Sequence, residues 1–170
     1  MVGERTASDA LWSGLGNPTP RVRSDQILMQ ATDVTAGAVL NCRAALASDR
    51  DWVCAASSSM IKEDLGLEGD GWVSERVMTG EYVGSHAARR VYRAKVATRC
   101  SVGAQIGGVW VDPSCRRRGL GAAGTRGLIR HLLERHPRVT LHVRTDNGSA
   151  IRCYESVGFA AVRAFRVLVR

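Results

Sequence analysis

The spacing of hydrophobic residues along this chain predicts an alternation of strands and helices. Residues 50–65 carry apolar side chains at roughly helical spacing, behind a possible cap at Ser48 or Asp49. Residues 122–135 show the same period, and a shorter helix fits residues 72–79. In the helix over 122–135 we expect the charged side chains to point outward, namely those of Arg126, Arg130 and Glu134.

A period of two between apolar and polar residues predicts the strands. We expect them over residues 39–46, 81–83, 89–98, 102–111 and 139–143 and over the last ten residues. The first 35 residues show little periodicity, with at most a short extended piece at Ile27–Met29. The pattern therefore predicts a poorly defined lead over residues 1–37 and one domain over residues 38–170.

The segment after the strand over 102–111 has the composition of a phosphate-binding turn. Pro113 ends the strand, and three consecutive arginines, Gly119 and Gly121 lead into the next helix. A helix N-terminus presents unpaired N–H groups and a partial positive charge, and glycines let a phosphate approach the backbone. The turn lacks the Gly-Lys-Ser/Thr of a P-loop and the third glycine of a dinucleotide fingerprint. It therefore predicts the capture of a pyrophosphate in another class of nucleotide-like cofactor.

The net charge of +8 comes almost wholly from arginine, because Lys62 and Lys95 are the only lysines. The arginines are dispersed along the chain, aromatic residues make up 5% of it, and no nucleic-acid motif is present. This distribution favours a site for a polyanionic ligand over a nucleic-acid surface.

The cysteines and histidines predict neither a disulfide framework nor a metal site. Five cysteines are odd in number and none has C-x-x-C spacing, which favours reduced thiols. The four histidines have no ligand spacing, and we predict no catalytic role for any of them. Since no secretory signal or run of about 20 apolar residues is visible, we expect a cytoplasmic protein without a membrane partner.

Two motifs together are similar to those of the GNAT superfamily of acyl-CoA N-acyltransferases. Arg116, Gly119 and Gly121 occupy the positions of its Arg/Gln-x-x-Gly-x-Gly/Ala turn, and a second motif follows in the expected order: Asn147, Ala150, Tyr154, Gly158 and Phe159. The resemblance covers roughly residues 38–170. The layout from Leu46 through the Gly-Gly-Val-Trp-Val strand also resembles the C-terminal acetyltransferase domain of longer actinobacterial proteins. It implies an α/β (α+β) fold with a central mixed, mostly antiparallel sheet, a splayed strand pair and flanking helices.

The resemblance also assigns residues to a site for acetyl-CoA (coenzyme A). The backbone of Val109 and Val111 would pair with the pantetheine arm, and a backbone N–H near Val109 would meet the oxyanion, while Trp110 packs on the opposite face. Asn147 would bind the cofactor arm or serve as a residue of the helix N-terminal turn. Tyr154 would protonate the leaving thiolate, or only line the groove. The turn that wraps the pyrophosphate would comprise Arg116, Arg117, Arg118, Gly119, Leu120, Gly121 and Ala122.

The residue types that would supply a general base are missing from the strand where many relatives carry a glutamate. Gln105, Ile106, Gly107 and Gly108 stand there instead. The nearest acidic residues are expected to be solvated surface charges, namely Glu63, Glu81 and Asp112. A water chain or an amine that arrives unprotonated would also serve. An acyl-cysteine intermediate on the flanking Cys115 or Cys153 is disfavoured.

Together these features predict an acetyl-CoA-dependent N-acetyltransferase that acts directly on a small-molecule or peptide amine, with a homodimer possible. The missing carboxylate motivates an alternative, a non-catalytic acyl-CoA-binding or regulatory module. A third reading, a basic nucleic-acid-associated protein, would bind with a steep salt dependence and ignore CoA.

Overall fold

Eight strands form a single sheet in the computed structural model, which describes residues 2–65 and 78–169. The strands are β1 Val2–Glu4, β2 Val22–Ala31, β3 Cys42–Ala44, β4 Glu81–His86, β5 Arg89–Cys100, β6 Gly103–Val111, β7 Val139–Arg144 and β8 Ala160–Val169. The helices are α1 Arg5–Gly14, α2 Arg50–Leu65, α3 Leu120–Leu133 and α4 Gly148–Glu155. The strand order is β1-β8-β2-β7-β6-β5-β4-β3. Neighbours run antiparallel except β6 and β7, which confirms the mixed, mostly antiparallel sheet.

The parallel strands β6 and β7 pair over a short stretch and then separate. Their register runs from Ala104 opposite Val139 to Ile106 opposite Leu141. Beyond that point β6 continues beside β5 and β7 continues beside β2. The sheet therefore opens between the C-terminal halves of β6 and β7, which confirms the expected splayed strand pair.

A β-bulge in β6 lies at the mouth of this opening. Arg93 of β5 is opposite Trp110, while Lys95 is opposite Gly107, so β6 carries one extra residue between them. Gly108 takes it up with a φ of 56°, a conformation that favours glycine. After the bulge Trp110 faces α2, where its ring lies 5.9 Å from that of Trp52. This contact agrees with the expected packing role of Trp110.

Helix α3 packs closely on the sheet because glycines face its neighbours. A Cβ atom added at Gly124 would lie 2.3 Å from the ring of Tyr92, and one at Gly127 would lie 2.1 Å from the carbonyl oxygen of Leu40. Tyr92 is fully buried, and its hydroxyl lies 3.2 Å from the Thr125 hydroxyl. The core therefore lies between the sheet and α3, and it holds α3 and its N-terminus in a fixed position beside β6.

Most of the predicted elements occur, with three differences. Helix α2 has the predicted bounds, but the strand expected over 39–46 is reduced to β3. The expected outward position of Arg126 is wrong, because its buried guanidinium donates to the carbonyl oxygens of Thr35, Ala38 and Ser156. The other two charged residues of the predicted helix, Arg130 and Glu134, are exposed as expected. The helix expected over 72–79 lies mostly outside the described residues, and residues 78–80 form a turn.

The expectation of an irregular lead is the third difference. Residues 2–31 contain β1, α1 and β2, and β2 lies in the sheet between β7 and β8. Its ten residues form a regular strand rather than a short extended piece. The division of the chain at residue 37 stays a prediction. Among the described residues, no helix is long and apolar enough to cross a membrane.

Candidate active site

The turn between β6 and α3 exposes the N-terminus of α3 beside the opening in the sheet. The carboxylate of Asp112 accepts hydrogen bonds from the backbone N–H and hydroxyl of Ser114, at 2.9 and 2.6 Å, and these bonds lower its pKa. The first N–H of the helix to pair back into the turn is that of Ala123, which donates to the Gly119 carbonyl at 3.0 Å. The N–H groups before it lack a partner within the helix and are available to an anion.

Space for that anion remains at both glycines of the turn. A Cβ atom built at Gly119 would meet nothing within 4 Å, but the φ of 75° disfavours other residues there. A Cβ atom at Gly121 would meet only ordinary contacts, the Val111 Cγ2 at 3.5 Å and the Cys153 Sγ at 3.7 Å. Open backbone, free N–H groups and nearby guanidinium groups together fit a pyrophosphate.

The three arginines of the turn have different surroundings. Arg116 donates from Nε to the Val111 carbonyl at 3.0 Å and from Nη2 to both carboxylate oxygens of Glu63, at 2.8 and 2.9 Å. It thereby ties the end of β6 to α2. The side chains of Arg117 and Arg118 are exposed and contact no polar group in the described part of the chain. These two therefore present uncompensated positive charge beside the helix N-terminus.

The two valines of β6 lie past the point where β7 departs. Val109 and Val111 are half-buried against the core, and no neighbouring strand among the described residues pairs with β6 on its β7 side there. The backbone groups of β6 on this side are therefore open to an extended ligand with hydrogen-bonding groups, such as a pantetheine arm. The geometry fits the role that the sequence suggests for these residues.

Tyr154 lies on α4 within the core, with its ring edge-on to Phe159 at 5.9 Å between centroids. Burial raises the pKa of its hydroxyl well above the ordinary value, with smaller contributions from Cys153 and Asp64. The hydroxyl has no hydrogen-bond partner within residues 2–65 and 78–169, and the raised pKa keeps it protonated at neutral pH. Asn147 caps α4, where its side-chain oxygen accepts from the Ala150 N–H at 3.1 Å.

Of the three acidic residues that were expected to be solvated surface charges, Glu63 is exposed, Asp112 is half-buried and Glu81 is buried. Glu81 is not a solvated surface charge: it is 1% exposed and accepts from Arg93 at 2.7 and 2.8 Å. Arg93 also donates to the Gly108 carbonyl at 3.1 Å, so this buried pair holds the bulge. Glu63 is exposed but paired with Arg116, and Asp112 shapes the turn.

His142 is a site feature that the sequence analysis did not assign. It follows Leu141, the last residue of β7 that pairs with β6, and its ring packs against Phe165 at 4.6 Å between centroids. Its Nδ1 lies 3.3 Å from the Gln105 side-chain nitrogen, and its Nε2 is buried without a partner among the described residues. Burial lowers its pKa. The alternation of apolar and polar residues in β7 places His142 on the polar face of the strand. Periodicity alone, however, does not locate the opening in the sheet beside it.

The sheet opens beside the N-terminus of α3, and the turn between them leaves backbone N–H groups free, an arrangement that fits an enzyme with a nucleotide-like acyl donor. Comparison with known proteins gives the family. The sequence profile of the Acetyltransferase (GNAT) family matches residues 46–159, and the chain belongs to this family.

Individual relatives agree with this assignment over parts of their length. A mycothiol acetyltransferase from Mycobacterium sp. (strain JLS) is 45% identical over 56 residues, which are 30% of this chain and 19% of that protein. The mycothiol acetyltransferase of Nocardiopsis dassonvillei is 49% identical over 53 residues, or 31% of this chain and 16% of its own. The matched segment thus spans less than a fifth of either relative.

Solved structures are similar over most of the chain. A GNAT-family protein from Novosphingobium aromaticivorans has a TM-score of 0.69 and 25% identity, covering 88% of this chain and 65% of its own. The ribosomal-protein-S18-alanine N-acetyltransferase from Escherichia coli has a TM-score of 0.52 and 18% identity, covering 75% of this chain and 92% of its own. The second of these likenesses concerns the fold alone.

Proposed function

We propose that this protein is an acetyl-CoA-dependent N-acetyltransferase that transfers the acyl group directly to a primary amine. The observation that carries the proposal is the exposed N-terminus of α3, with its free N–H groups and two open glycines, beside the gap between β6 and β7. An acyl-CoA is the ligand class that joins a pyrophosphate to an extended arm with hydrogen-bonding groups.

In the proposed complex the turn from Arg116 to Ala122 binds the pyrophosphate through backbone N–H groups, and Arg117 and Arg118 contribute charge. Val109 and Val111 pair with the pantetheine arm through their backbone. Asn147 contacts the same arm from the start of α4 while it caps that helix. These roles follow the family resemblance and are supported by where the residues lie.

The oxyanion of the tetrahedral intermediate meets the backbone N–H of Val109 in this proposal. Arg93 holds the Gly108 carbonyl on one side of the bulge. Because the peptide unit is planar and trans, the N–H of Val109 must point the opposite way from that carbonyl. A donor fixed before the reaction begins is the arrangement that stabilises a developing oxyanion best.

Tyr154 supplies the proton to the departing thiolate. Its raised pKa keeps the hydroxyl protonated at neutral and mildly alkaline pH, as an acid requires. Proton donation of this kind typically contributes about 10²–10⁴-fold in rate.

Calorimetric titration with acetyl-CoA, CoA and a longer acyl-CoA, followed by thiol release in the presence of amines, tests the function. We expect micromolar binding and amine-dependent release of CoA. Binding without turnover would instead favour the non-catalytic acyl-CoA-binding or regulatory module, and no binding would contradict both. The cytoplasmic location and the homodimer stay predictions.

A further inference from the structure

We propose that His142 is the general base that deprotonates the incoming amine, and that Gln105 orients its ring. The proposal deepens the N-acetyltransferase function above and rests on it.

The position of His142 is set by the point at which the sheet opens. Leu141 is the last residue of β7 opposite β6, so His142 is the first residue beyond the paired region. Gly107 is the corresponding first residue of β6, and a Cβ atom built there would meet nothing within 4 Å. Since Gly107 lies two residues after Gln105 and before the bulge, both present the same face. Open space therefore borders the pair formed by Gln105 and His142.

The two ring nitrogens of His142 differ in their contacts. Nδ1 lies 3.3 Å from the side-chain amide of Gln105, whereas Nε2 is buried without a hydrogen-bond partner in the described residues. Buried polar atoms are nearly always bonded to protein or water, so an orphan nitrogen calls for a ligand or water. The oxygen and nitrogen ends of a carboxamide have almost the same shape, so the Gln105 amide can be turned with its oxygen toward His142. Nδ1 then carries the proton and donates it to that oxygen, and the lone pair of the His142 ring lies on Nε2.

The surroundings of the ring keep it neutral. Leu28 of β2 lies opposite His142, the Phe165 ring of β8 packs on it, and Gln105 approaches from β6. The charged groups on these strands are Arg144, which binds Asp146, the exposed Arg163, Arg23, and the ion pair of Asp25 with Arg166. Desolvation is the cause that lowers the pKa, so the imidazole is a free base at neutral pH.

The reaction balances with this base and the tyrosine acid. Nε2 takes one proton from the substrate ammonium, directly or through one water, and the freed lone pair forms the C–N bond to the thioester carbonyl. As the C–S bond breaks, the thiolate takes the Tyr154 proton. The proton left on the new amide nitrogen restores the tyrosine, and His142 releases its proton to solvent. The products are the amide, CoA and one proton.

Two acceptor amines distinguish a general base from a residue with only a structural role. A primary alkylamine is protonated at neutral pH and needs the base, while an aromatic amine is already neutral and does not. For His142→Asn, whose amide can keep the contact with Gln105, we expect kcat/KM with the alkylamine to fall by about 10²-fold or more. With the aromatic amine the change should be within about threefold, and the dissociation constant of acetyl-CoA should not move.

His142→Ala offers rescue, because added imidazole should restore part of the alkylamine rate. His86→Asn, on the exposed end of β4, is the matched control and should behave as wild type. Equal losses with both amines, or no loss with the alkylamine, would overturn the role of His142 while leaving the transferase function intact. A wild-type chain that acylates neither amine would overturn the function itself, and the proposal with it.

Discussion

Gly121 is the residue at which the anion site can be blocked without straining the protein. An added Cβ atom has only ordinary contacts there, whereas Gly119 needs its positive φ. We expect Gly121→Val to weaken acetyl-CoA binding by about 100-fold or more, or at least about 2.7 kcal/mol, because the side chain occupies the approach of the phosphate. Calorimetry measures the affinity.

The thermal midpoint of Gly121→Val should stay near that of wild type. Gly14→Ala at the end of α1, where a Cβ atom also meets nothing within 4 Å, serves as the control. Unchanged affinity in a folded Gly121→Val protein would contradict the assignment of the turn.

A substitution at Tyr154 distinguishes a proton donor from a residue that only lines the groove. Its hydroxyl has no partner in the described residues, so Tyr154→Phe removes no hydrogen bond and should leave the free energy of unfolding within about 0.5 kcal/mol. We expect kcat to fall by about 10²-fold or more at an unchanged dissociation constant for acetyl-CoA. Steady-state kinetics and calorimetry measure both. Weaker binding with an unaffected kcat would instead make Tyr154 a groove residue.

A substitution at Gln105 should shift the pKa of the neighbouring His142. A carboxylate in Gln105→Glu would stabilise the imidazolium of His142, so the pKa of His142 should rise from its lowered value. The base form would then appear only at higher pH, and the acid limb of kcat/KM should move in the same direction. Titration of the His142 ring resonances by NMR measures the shift. An unchanged or lowered pKa would show that residue 105 does not contact Nδ1.

At the scale of elements, the helices and strands that the sequence predicted correctly are those that depend on interactions between residues close in sequence. The apolar spacing within α2 and the alternation within β5 and β7 depend on neighbours in sequence, and these elements occur close to where they were expected. Strand β2 begins with mostly polar residues, and its pairing with β7 and β8 connects positions more than 100 residues apart. Periodicity carries no signal of such pairing, which is why the strand was missed.

The bulge of β6 likewise depends on both local and long-range interactions. The adjacent glycines 107 and 108 indicate either a bulge or room for an acceptor, while the ion pair that holds the bulge joins Glu81 and Arg93 across two strands. That contact depends on the strand register, which the sequence alone does not specify. For the same reason Glu81 was mistaken for a surface charge.

The buried pair itself gives a prediction about stability. Arg93→Met would leave the Glu81 carboxylate buried without its partner, and we expect it to cost about 3–5 kcal/mol. The double variant Glu81→Met with Arg93→Met removes both charges, so it should cost less than the single change. Urea unfolding at neutral pH measures both. A double variant less stable than Arg93→Met would contradict the view that an uncompensated charge is the main penalty.

At the scale of the whole molecule, the position of β2 allows a deletion of the first 37 residues to show whether the folding unit begins at residue 38 or before it. Met29 and Ala31 of β2 are each 1% exposed, and the strand pairs with β7 on one side and β8 on the other. Deleting residues 1–37 removes this strand, so β7 and β8 lose their shared partner and each presents an unpaired edge. We expect the chain over 38–170 to aggregate and to unfold without a cooperative transition.

Deleting only residues 1–20 is the matched control, because it removes β1 and α1 but keeps β2. We expect this shorter deletion to retain a cooperative urea transition at a lower midpoint, since β8 still pairs with β2 over most of its length. Circular dichroism and gel filtration distinguish the two chains. A cooperative, monodisperse 38–170 chain would instead support a domain boundary near residue 37, and β2 would then be an addition to a sheet that folds without it.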